Sequence, residues 1–293
     1  MKKDLEVSNK MVNFCTTENA ELDVSETKRL VTDDTWENKF KKHNAKYQDE
    51  RNLLRRIFFK ITGGYSSQED FKEDFLYKSF LPKKGKVVEV GGGEPSKLIK
   101  KFWKRNGLEP FIIEISPSGC ETARRKFKEE GLIGDRVISA DFLDKNFQSK
   151  HFSEFDVVYS RGLIEHFYEL DEVIYNHFNI CKPGGSVVII IPNMKGLFYR
   201  LPLLLFNRKT FEEHNITMMN KKSFNSIFEK PYIEKRYCDF LGTINIQSAF
   251  IKRKQLGKKI QGLVDLILLP LLKLHDIKTQ TFSPYLIFIG QKK

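Results

Sequence analysis

Three consecutive glycines, Gly91–Gly93, follow a short apolar run that contains a single acid, Glu89. Glycine adopts backbone conformations closed to other residues and lets a ligand come close to the main chain. Residues 86–90 have the composition of a buried strand, and apolar residues recur at helical spacing over 98–103. A strand, a glycine turn and the start of a helix together form a pocket of exposed N–H groups. The spacing therefore predicts a nucleotide-binding turn.

The elements that would position this turn follow one another regularly along the chain. After the glycines, apolar runs alternate with segments of helical spacing, which is typical of a parallel sheet covered by helices on both faces. We predict strands at 110–116, 136–141, 155–160, 186–193, 232–240 and 283–293, and helices at 118–132, 170–181 and 220–230. About forty residues separate the last two strands, too many for a hairpin loop, so this segment is an insertion with its own role.

Composition places the chain among ordinary globular proteins, since 40% of its residues are hydrophobic and 30% are charged. Its cysteines lie far apart and lack the paired spacing of a metal site. They are Cys15, Cys120, Cys181 and Cys238. This favours a reducing compartment, and neither zinc nor a disulfide framework is expected. No apolar run follows Lys2 and Lys3, so no signal peptide is predicted and a cytoplasmic location is expected.

The net charge of +12 raises the question of nucleic-acid binding. Most of the positive charge comes from lysine, which attracts anions as a point charge rather than by bidentate contacts to bases. Four lysines would lie on the outer face of the helix that follows the glycines: Lys97, Lys100, Lys101 and Lys104. We interpret them as a solvated face, and nucleic acid is not the favoured partner.

Four segments resemble, in their order and spacing, the class I S-adenosylmethionine-dependent methyltransferase family, over roughly residues 31–293. They are VVEVGGGEPS, IIEISPSGCETARR, ISADFLD and FDVVYSRGLIEHFYELDEVIYNHFNICKPGGSVVIIIPN. The resemblance implies an α/β fold: a Rossmann-like seven-stranded mixed sheet flanked by helices, with an antiparallel last strand. An N-terminal helical cap and a C-terminal helical insertion would complete it. It also implies an enzyme, a methyltransferase whose cofactor is S-adenosyl-L-methionine.

The resemblance assigns roles to individual residues. The first motif would hold the methionine part of the cofactor, with Glu89 accepting a charge-assisted hydrogen bond from its amino group. Glu114 would bind the ribose hydroxyls. Asp141 would accept a hydrogen bond from the adenine amino group, and Ile115 and Phe142 would pack on the two faces of the adenine ring. The expected cofactor residues are Glu89, Gly91, Gly92, Gly93, Glu114, Ile115, Asp141, Phe142, Ser160 and Arg161. No metal ligand is expected.

One position departs from the family pattern. Where the family usually has a glycine two residues after Gly93, this chain has Pro95, which suits the first turn of a helix because its missing N–H has no partner there. A nicotinamide-dependent dehydrogenase would need its third glycine at Ser96, and the segments IEHF and CKPGG have no role in that fold. The methyltransferase interpretation is therefore preferred.

The candidate catalytic residues are two histidines. His166 follows the fourth strand and would be the base for a hydroxyl acceptor, while His214 lies in the segment that resembles the family's substrate lid. The alternatives are a structural or cofactor-side role for His166 and a surface position for His214.

The acceptor is indicated mainly by missing motifs. No Asn/Asp-Pro-Pro-aromatic segment follows the fourth strand, which argues against methylation of amide or base nitrogens in proteins and nucleic acids. The sequence also has no Pro-Cys pair, which argues against carbon methylation of cytosine. We expect O- or N-methylation of a small-molecule acceptor that is apolar or linked to a lipid or sugar. An RNA-modifying methyltransferase and a non-catalytic cofactor-binding scaffold are the alternatives.

By composition the chain divides into three parts. Residues 1–30 are predicted to be a disordered tail, 31–80 a helical cap and 81–293 the methyltransferase core. Within the core, 194–220 and 244–280 are predicted to be substrate-lid or insertion segments.

The insertion joins a basic stretch to an apolar one. The apolar sequence LVDLILLPLLKL is too short and too interrupted to span a bilayer. It is preceded by five basic residues: Lys252, Arg253, Lys254, Lys258 and Lys259. Residues 252–274 would either make peripheral contact with an anionic membrane or form a lid that buries its apolar face on the core. The sequence leaves both alternatives open.

Overall fold

The computed structural model describes residues 29–44, 67–206, 208–245, 254–272 and 278–293. The predicted tail lies outside these ranges except for its last two residues. Within them, the α-helices are α1 Asp33–Asn44, α2 Gln68–Phe80, α3 Pro117–Glu129, α4 Lys145–Lys150, α5 Asp171–Ile180, α6 Leu197–Phe206, α7 Lys209–Glu212, α8 Lys221–Ser226 and α9 Lys254–Leu272. The strands are β1 Lys86–Val90, β2 Glu109–Glu114, β3 Val137–Ser139, β4 Phe155–Arg161, β5 Cys181–Pro192, β6 Ile233–Leu241 and β7 Tyr285–Lys292. Shorter turns are the π-helix Leu98–Trp103 and the 3-10 helices Gly134–Arg136, Ile164–His166 and Ile216–Met218.

The strands form one seven-stranded sheet in the order β3-β2-β1-β4-β5-β7-β6. The first five run parallel, and β7 lies antiparallel between β5 and β6. This confirms the predicted mixed sheet with an antiparallel last strand. The strand order reverses between β1 and β4, and open α/β sheets bind ligands beyond the carboxyl ends of the strands at such a switch point. The ends of β1 and β4 are therefore the expected place for a site.

The central strands are buried on both faces of the sheet. Val87 and Val88 are neighbours on β1, yet both are fully buried and each belongs to a different core cluster. Every residue from Val187 to Ile191 on β5 is likewise buried. Burial on both faces explains why these strands appear in the sequence as continuous apolar runs rather than as alternating patterns.

The lysines after the glycine turn correct one prediction. Leu98–Trp103 forms a π-helix that packs beside the acidic helix α2, and Lys101 is only 2% exposed. Its ammonium is paired with the fully buried Glu73. Lys97 and Lys100 also pair with carboxylates of α2. The predicted solvated face was wrong for Lys101, because its periodicity carries no information about the acidic helix that covers it.

The KPGG segment also differs from the prediction. It was expected to be a turn before a strand at 186–193, but it forms a bulge inside β5, since Phe155 pairs with Cys181 and Val157 with Ser186. Gly184 has a φ of +74°, a conformation that favours glycine. The strand therefore begins at Cys181.

The two predicted lid or insertion segments each contain a helix, α6 and α9. α6 keeps its helical form although Pro202 lies inside it. None of the helices in the described ranges is both long enough and apolar enough to cross a membrane.

Candidate functional site

The glycine turn follows β1 at the switch point. Gly91 has a φ of +72°, and its N–H donates to the Ile113 carbonyl at 2.9 Å. A Cβ atom at Gly92 would lie 2.6 Å from Cγ of Glu89, closer than real Cβ atoms approach. Glycine is therefore needed at position 91 for its conformation and at position 92 for the closeness of Glu89.

Glu89 carries the clearest sign of a missing partner. Its side chain is buried, and Oε2 has no hydrogen-bond partner among the described residues. Burial raises the pKa of Glu89 to about 8, although Arg161 and Lys97 act in the opposite direction. A buried polar atom without a partner is costly unless a ligand supplies one. The amino group of a bound cofactor would fit this position.

Glu114 ends β2 beside the glycine turn and lines a first cavity. Its Oε1 accepts from the Ser116 N–H at 2.8 Å. Burial raises the pKa of Glu114, while backbone hydrogen bonds from Ser116, Ile115 and Gly93 act against this rise. A ribose-binding acid is expected at the end of the second strand. Glu114 lies at this position, and its carboxylate is buried and hydrogen-bonded to the backbone.

The first cavity also brings together Ile115, Asp141 and Phe142, the residues predicted to surround adenine. Arg29 lines the same cavity and donates to both carboxylate oxygens of Asp141, at 2.7 and 2.6 Å. Adenine recognition by Asp141 stays a prediction. If it occurs, the same carboxylate would bind both Arg29 and the adenine amino group. The pairing was not foreseen, because Arg29 falls in the segment predicted to be a tail.

Helix α1 contributes Trp36 to the site and is held beside α3 through Glu37. Glu37 accepts from Ser116 Oγ at 2.6 Å and from the Ser118 N–H at 3.1 Å, which ties α1 to the start of α3. Trp36 lines the wall of the first cavity and of a second one. The sequence shows Trp36 only as an apolar anchor of the predicted cap, since its contact with the sheet is long-range.

The second cavity has a volume of about 380 Å³ and adjoins the first. Trp36, Gly162 and His166 line both cavities. The rest of its wall consists of Arg161, Glu165, Pro192, Tyr199, His214 and Tyr285. Because Tyr199 belongs to α6 and His214 follows α7, the segment predicted to be a substrate lid forms part of this wall.

The two histidines selected from the sequence lie side by side in the second cavity. Their ring centroids are 4.3 Å apart, and the Trp36 ring packs edge-on against His166 at 5.0 Å. Nδ1 of His166 lies 2.7 Å from the Glu213 carbonyl oxygen, and Nδ1 of His214 lies 2.6 Å from that of Thr210. A carbonyl only accepts, so each Nδ1 carries the hydrogen and the basic lone pair of the neutral ring is on Nε2.

Glu165 completes this polar group. It is almost fully buried, its Oε2 has no hydrogen-bond partner among the described residues, and burial raises the pKa of Glu165 to about 8. Glu165, His166 and His214 each offer one potential ligand atom within 4.8 Å of the others. Two imidazoles and a carboxylate are a donor set that divalent transition metals accept. The sequence did not reveal this group, because His214 comes from a distant segment.

Ser160 and Arg161 do not line the first cavity. Ser160 is buried, and its Oγ is 3.0 Å from Nε2 of His177. Arg161 pairs with Glu69 and Glu73 of α2. Its guanidinium carbon lies 4.2 Å from the Tyr285 ring centroid, in the wall of the second cavity. Cofactor contact by these two residues stays a prediction, and the geometry places Arg161 on the side of the second cavity.

Comparison with known proteins gives a family match and similarity in sequence to a curated relative. Residues 88–189 match the family described as "Methyltransferase domain". Over 153 residues the chain is 28% identical to "Phosphoethanolamine N-methyltransferase 1" of Triticum aestivum. This match covers 50% of this chain and 28% of the wheat protein, so the chain spans less than a third of that relative's length.

Several solved structures share the fold at low sequence identity. The MccD protein aligns with a TM-score of 0.51 at 14% identity, over 75% of this chain and 96% of its own. A geranyl diphosphate methyltransferase in complex with GPP and sinefungin aligns at 0.50 and 13% identity, over 76% of this chain and 79% of its own. The [4+2]-cyclase SpnF aligns with a TM-score of 0.50 at 13% identity, over 82% of this chain and 93% of its own. At such identities these structures show the fold alone.

The sheet order and the glycine turn define an α/β protein of the Rossmann-like class. With the family match, they show that the chain contains a class I S-adenosylmethionine-dependent methyltransferase domain, whose cofactor is S-adenosylmethionine. The orphaned Oε2 of Glu89 and the buried carboxylate of Glu114 fit the amino group and the ribose of that cofactor.

Proposed function

We propose that this protein methylates an oxygen or nitrogen atom of a small apolar molecule bound in the second cavity. The observation that carries the proposal is the wall that the two cavities share at Trp36, Gly162 and His166. An acceptor in the second cavity would meet the cofactor cleft at this wall. Methyl transfer is a direct displacement, so alignment of the two reactants is the main contribution that the protein must make.

His166 is the group of this wall that can take a proton. When bound, S-adenosylmethionine supplies the methyl group, whose bond to sulfur breaks as the acceptor's lone pair forms the new bond. The acceptor loses its proton in this process, and Nε2 of His166 accepts it, since Nδ1 already donates to the Glu213 carbonyl. His214 packs against the His166 ring and holds its orientation.

The wall of the second cavity suits an apolar acceptor with little charge. Trp36, Tyr199 and Tyr285 contribute aromatic rings. Arg161 is held in ion pairs with two carboxylates of α2. Burial raises the pKa of Glu165 to about 8, so this carboxyl is mostly neutral at pH 7. An aromatic, nearly neutral wall favours an uncharged apolar group, which could be the end of a lipid-linked or sugar-linked molecule.

The comparisons support a small-molecule acceptor without specifying it. The wheat relative is named for phosphoethanolamine, and one structural neighbour is named for geranyl diphosphate. These two acceptors differ in polarity and size, so neither is assigned to this chain.

The proposal is tested with radiolabelled S-adenosylmethionine and a panel of small phenols, alkyl alcohols and amines of increasing apolar size. We expect methylation of apolar members of the panel. His166→Gln should lower turnover by about 10²- to 10⁴-fold, while calorimetry should give a cofactor affinity within about twofold of the parent. The activity of His166→Gln should recover at high pH, because an ionised acceptor no longer needs a base. His151→Gln, a change outside both cavities, is the matched control.

Three results would contradict parts of this proposal. Label found only in tRNA or rRNA, with binding that weakens steeply as salt rises, would assign an RNA acceptor. Cofactor binding without label in any acceptor would indicate a scaffold. Loss of turnover in EDTA, restored by a divalent cation, would replace the base with a metal held by Glu165, His166 and His214.

A further inference from the structure

Helix α6 exposes an apolar face next to the second cavity. Leu197, Leu201, Leu204 and Leu205 are each 46–65% exposed, although Tyr199 on the same helix lines the cavity. Isolated exposed leucines are ordinary, but several of them on one short helix form a continuous apolar surface. Such a surface is a candidate for contact with another molecule.

Helix α9 in the C-terminal insertion shows the same property. Leu256, Leu263 and Ile267 are 42–59% exposed and recur along one side of the helix. The sequence allowed this segment to be a lid over the acceptor, yet no described residue of α9 lines the second cavity. The exposed side chains of α9 are therefore not buried over that cavity.

Both helices follow strands whose ends lie beside the second cavity. α6 follows the end of β5 and α9 follows the end of β6, and the register pairs both strand ends with Tyr285 at the start of β7. Tyr285 and Pro192 line the second cavity. The Leu197 N–H donates to the Thr281 carbonyl at 2.7 Å, which fixes the start of α6 beside the segment that enters β7. We call the exposed apolar residues of α6 and α9 the rim of the cavity.

The exposed charges around the rim are mostly positive, and Glu212 at the end of α7 is the nearest exposed acid in the described sequence after α6. Residues 194–211 contain no acid, and the only acid within 256–268 is Asp265, which is buried. The exposed basic side chains are Arg200, Arg208, Lys209, Lys258 and Lys259. The cores of protein–protein interfaces are depleted in lysine, whereas basic residues beside an apolar helix face are the arrangement that binds anionic lipid surfaces.

We propose that the rim docks on the surface of an anionic membrane. The leucines and Ile267 enter the interface between headgroups and acyl chains, and the basic side chains contact the headgroups. The second cavity then opens toward the lipid, which gives an apolar acceptor a route from the membrane into the site. The docking itself does not depend on the proposed methyl transfer.

The full chain is tested by co-sedimentation with phosphatidylcholine vesicles that contain or lack phosphatidylglycerol. We expect binding only to the anionic vesicles, and we expect it to weaken as salt rises. Lys258→Gln and Lys259→Gln should each weaken partitioning by about fivefold. The double change Leu201→Ser with Leu205→Ser should weaken it by about tenfold or more.

Two control variants separate the rim from general surface effects. Ile133→Ser removes an apolar side chain that is 64% exposed in the loop before β3, at the opposite edge of the sheet. Lys128→Gln removes an exposed charge near the end of α3. Both should bind vesicles like the parent chain, and circular dichroism checks that every variant is folded.

The proposal is overturned if the folded parent chain does not bind anionic vesicles at low salt, or if the rim variants bind as well as the controls. It is also overturned if the parent chain dimerises and the rim variants are monomeric without loss of vesicle binding. In that case a second copy of the chain covers the rim.

Discussion

Glu89→Gln is expected to stabilise the cofactor-free protein while weakening its affinity for S-adenosylmethionine. The carboxyl is 7% exposed, and its Oε2 has no hydrogen-bond partner among the described residues. Burial raises its pKa from 4.5 to about 8. Between these two pH values the folded state binds more protons than the unfolded state, so the free energy of unfolding falls as pH rises.

The magnitude follows from the difference in pKa. Each pH unit within the window lowers the free energy of unfolding by about 1.4 kcal/mol. At pH 7 the carboxyl of Glu89 is ionised in the unfolded state and still mostly protonated in the folded state, so the free energy of unfolding is lower by about 3 kcal/mol. Glutamine has nearly the same shape and no charge to desolvate. It should restore most of this stability at pH 7 and almost none near pH 4.5. Losing the charge-assisted hydrogen bond to the cofactor should cost about 1.5–3 kcal/mol, roughly a ten- to hundredfold increase in Kd.

Urea unfolding of both proteins at pH 5 and pH 7.5, together with calorimetric titration of S-adenosylmethionine, measures the two effects. Glu94→Gln, a change at an exposed acid of the same turn, is the matched control and should alter neither quantity strongly. The reasoning is refuted if Glu89→Gln changes stability equally at both pH values. An unchanged Kd in a folded Glu89→Gln protein would remove Glu89 from the cofactor site.

Three further predictions concern the interior and the turn. Burial lowers the pKa of His177 to about 4, so the unfolded state binds more protons between about pH 6.5 and 4 and stability falls by about 3 kcal/mol as the pH drops. His177→Gln should flatten this part of a urea-unfolding profile. Lys101→Met leaves a fully buried carboxylate of α2 short of a partner and should cost about 3–5 kcal/mol in urea unfolding, whereas the more exposed Lys97→Met should cost about 1 kcal/mol or less. Gly92→Ala should displace Glu89 and raise the Kd for S-adenosylmethionine by roughly tenfold.

Each of these predictions has a result that would contradict it. A pH profile of His177→Gln as steep as that of the parent would show that another group titrates in this window. If Lys101→Met and Lys97→Met lower the free energy of unfolding equally, burial of an ion pair does not determine how much it contributes to stability. Unchanged cofactor binding in Gly92→Ala would show that the backbone of the turn can shift to accommodate the added Cβ with little loss of free energy.

The sequence by itself was sufficient for the fold class and for the residues of the glycine turn. Continuous apolar strands alternating with helical spacing reflect local periodicity and burial on both faces, so they are readable without coordinates. Gly91 and Gly92 are equally local, because their requirement comes from φ and from a side chain three residues away. Order and spacing of the motifs then led from these elements to the methyltransferase family.

The tertiary structure decided what faces each cavity. Trp36 and Arg29 reach the site from segments that looked like cap and tail, and His214 reaches His166 from beyond α7. Likewise, the pattern that predicted a solvated Lys101 could not include the acidic helix packed against it. Periodicity reports which side of an element is apolar, but it does not report which distant segment covers that side. Such contacts depend on how the whole chain packs, and that information appears only in three dimensions.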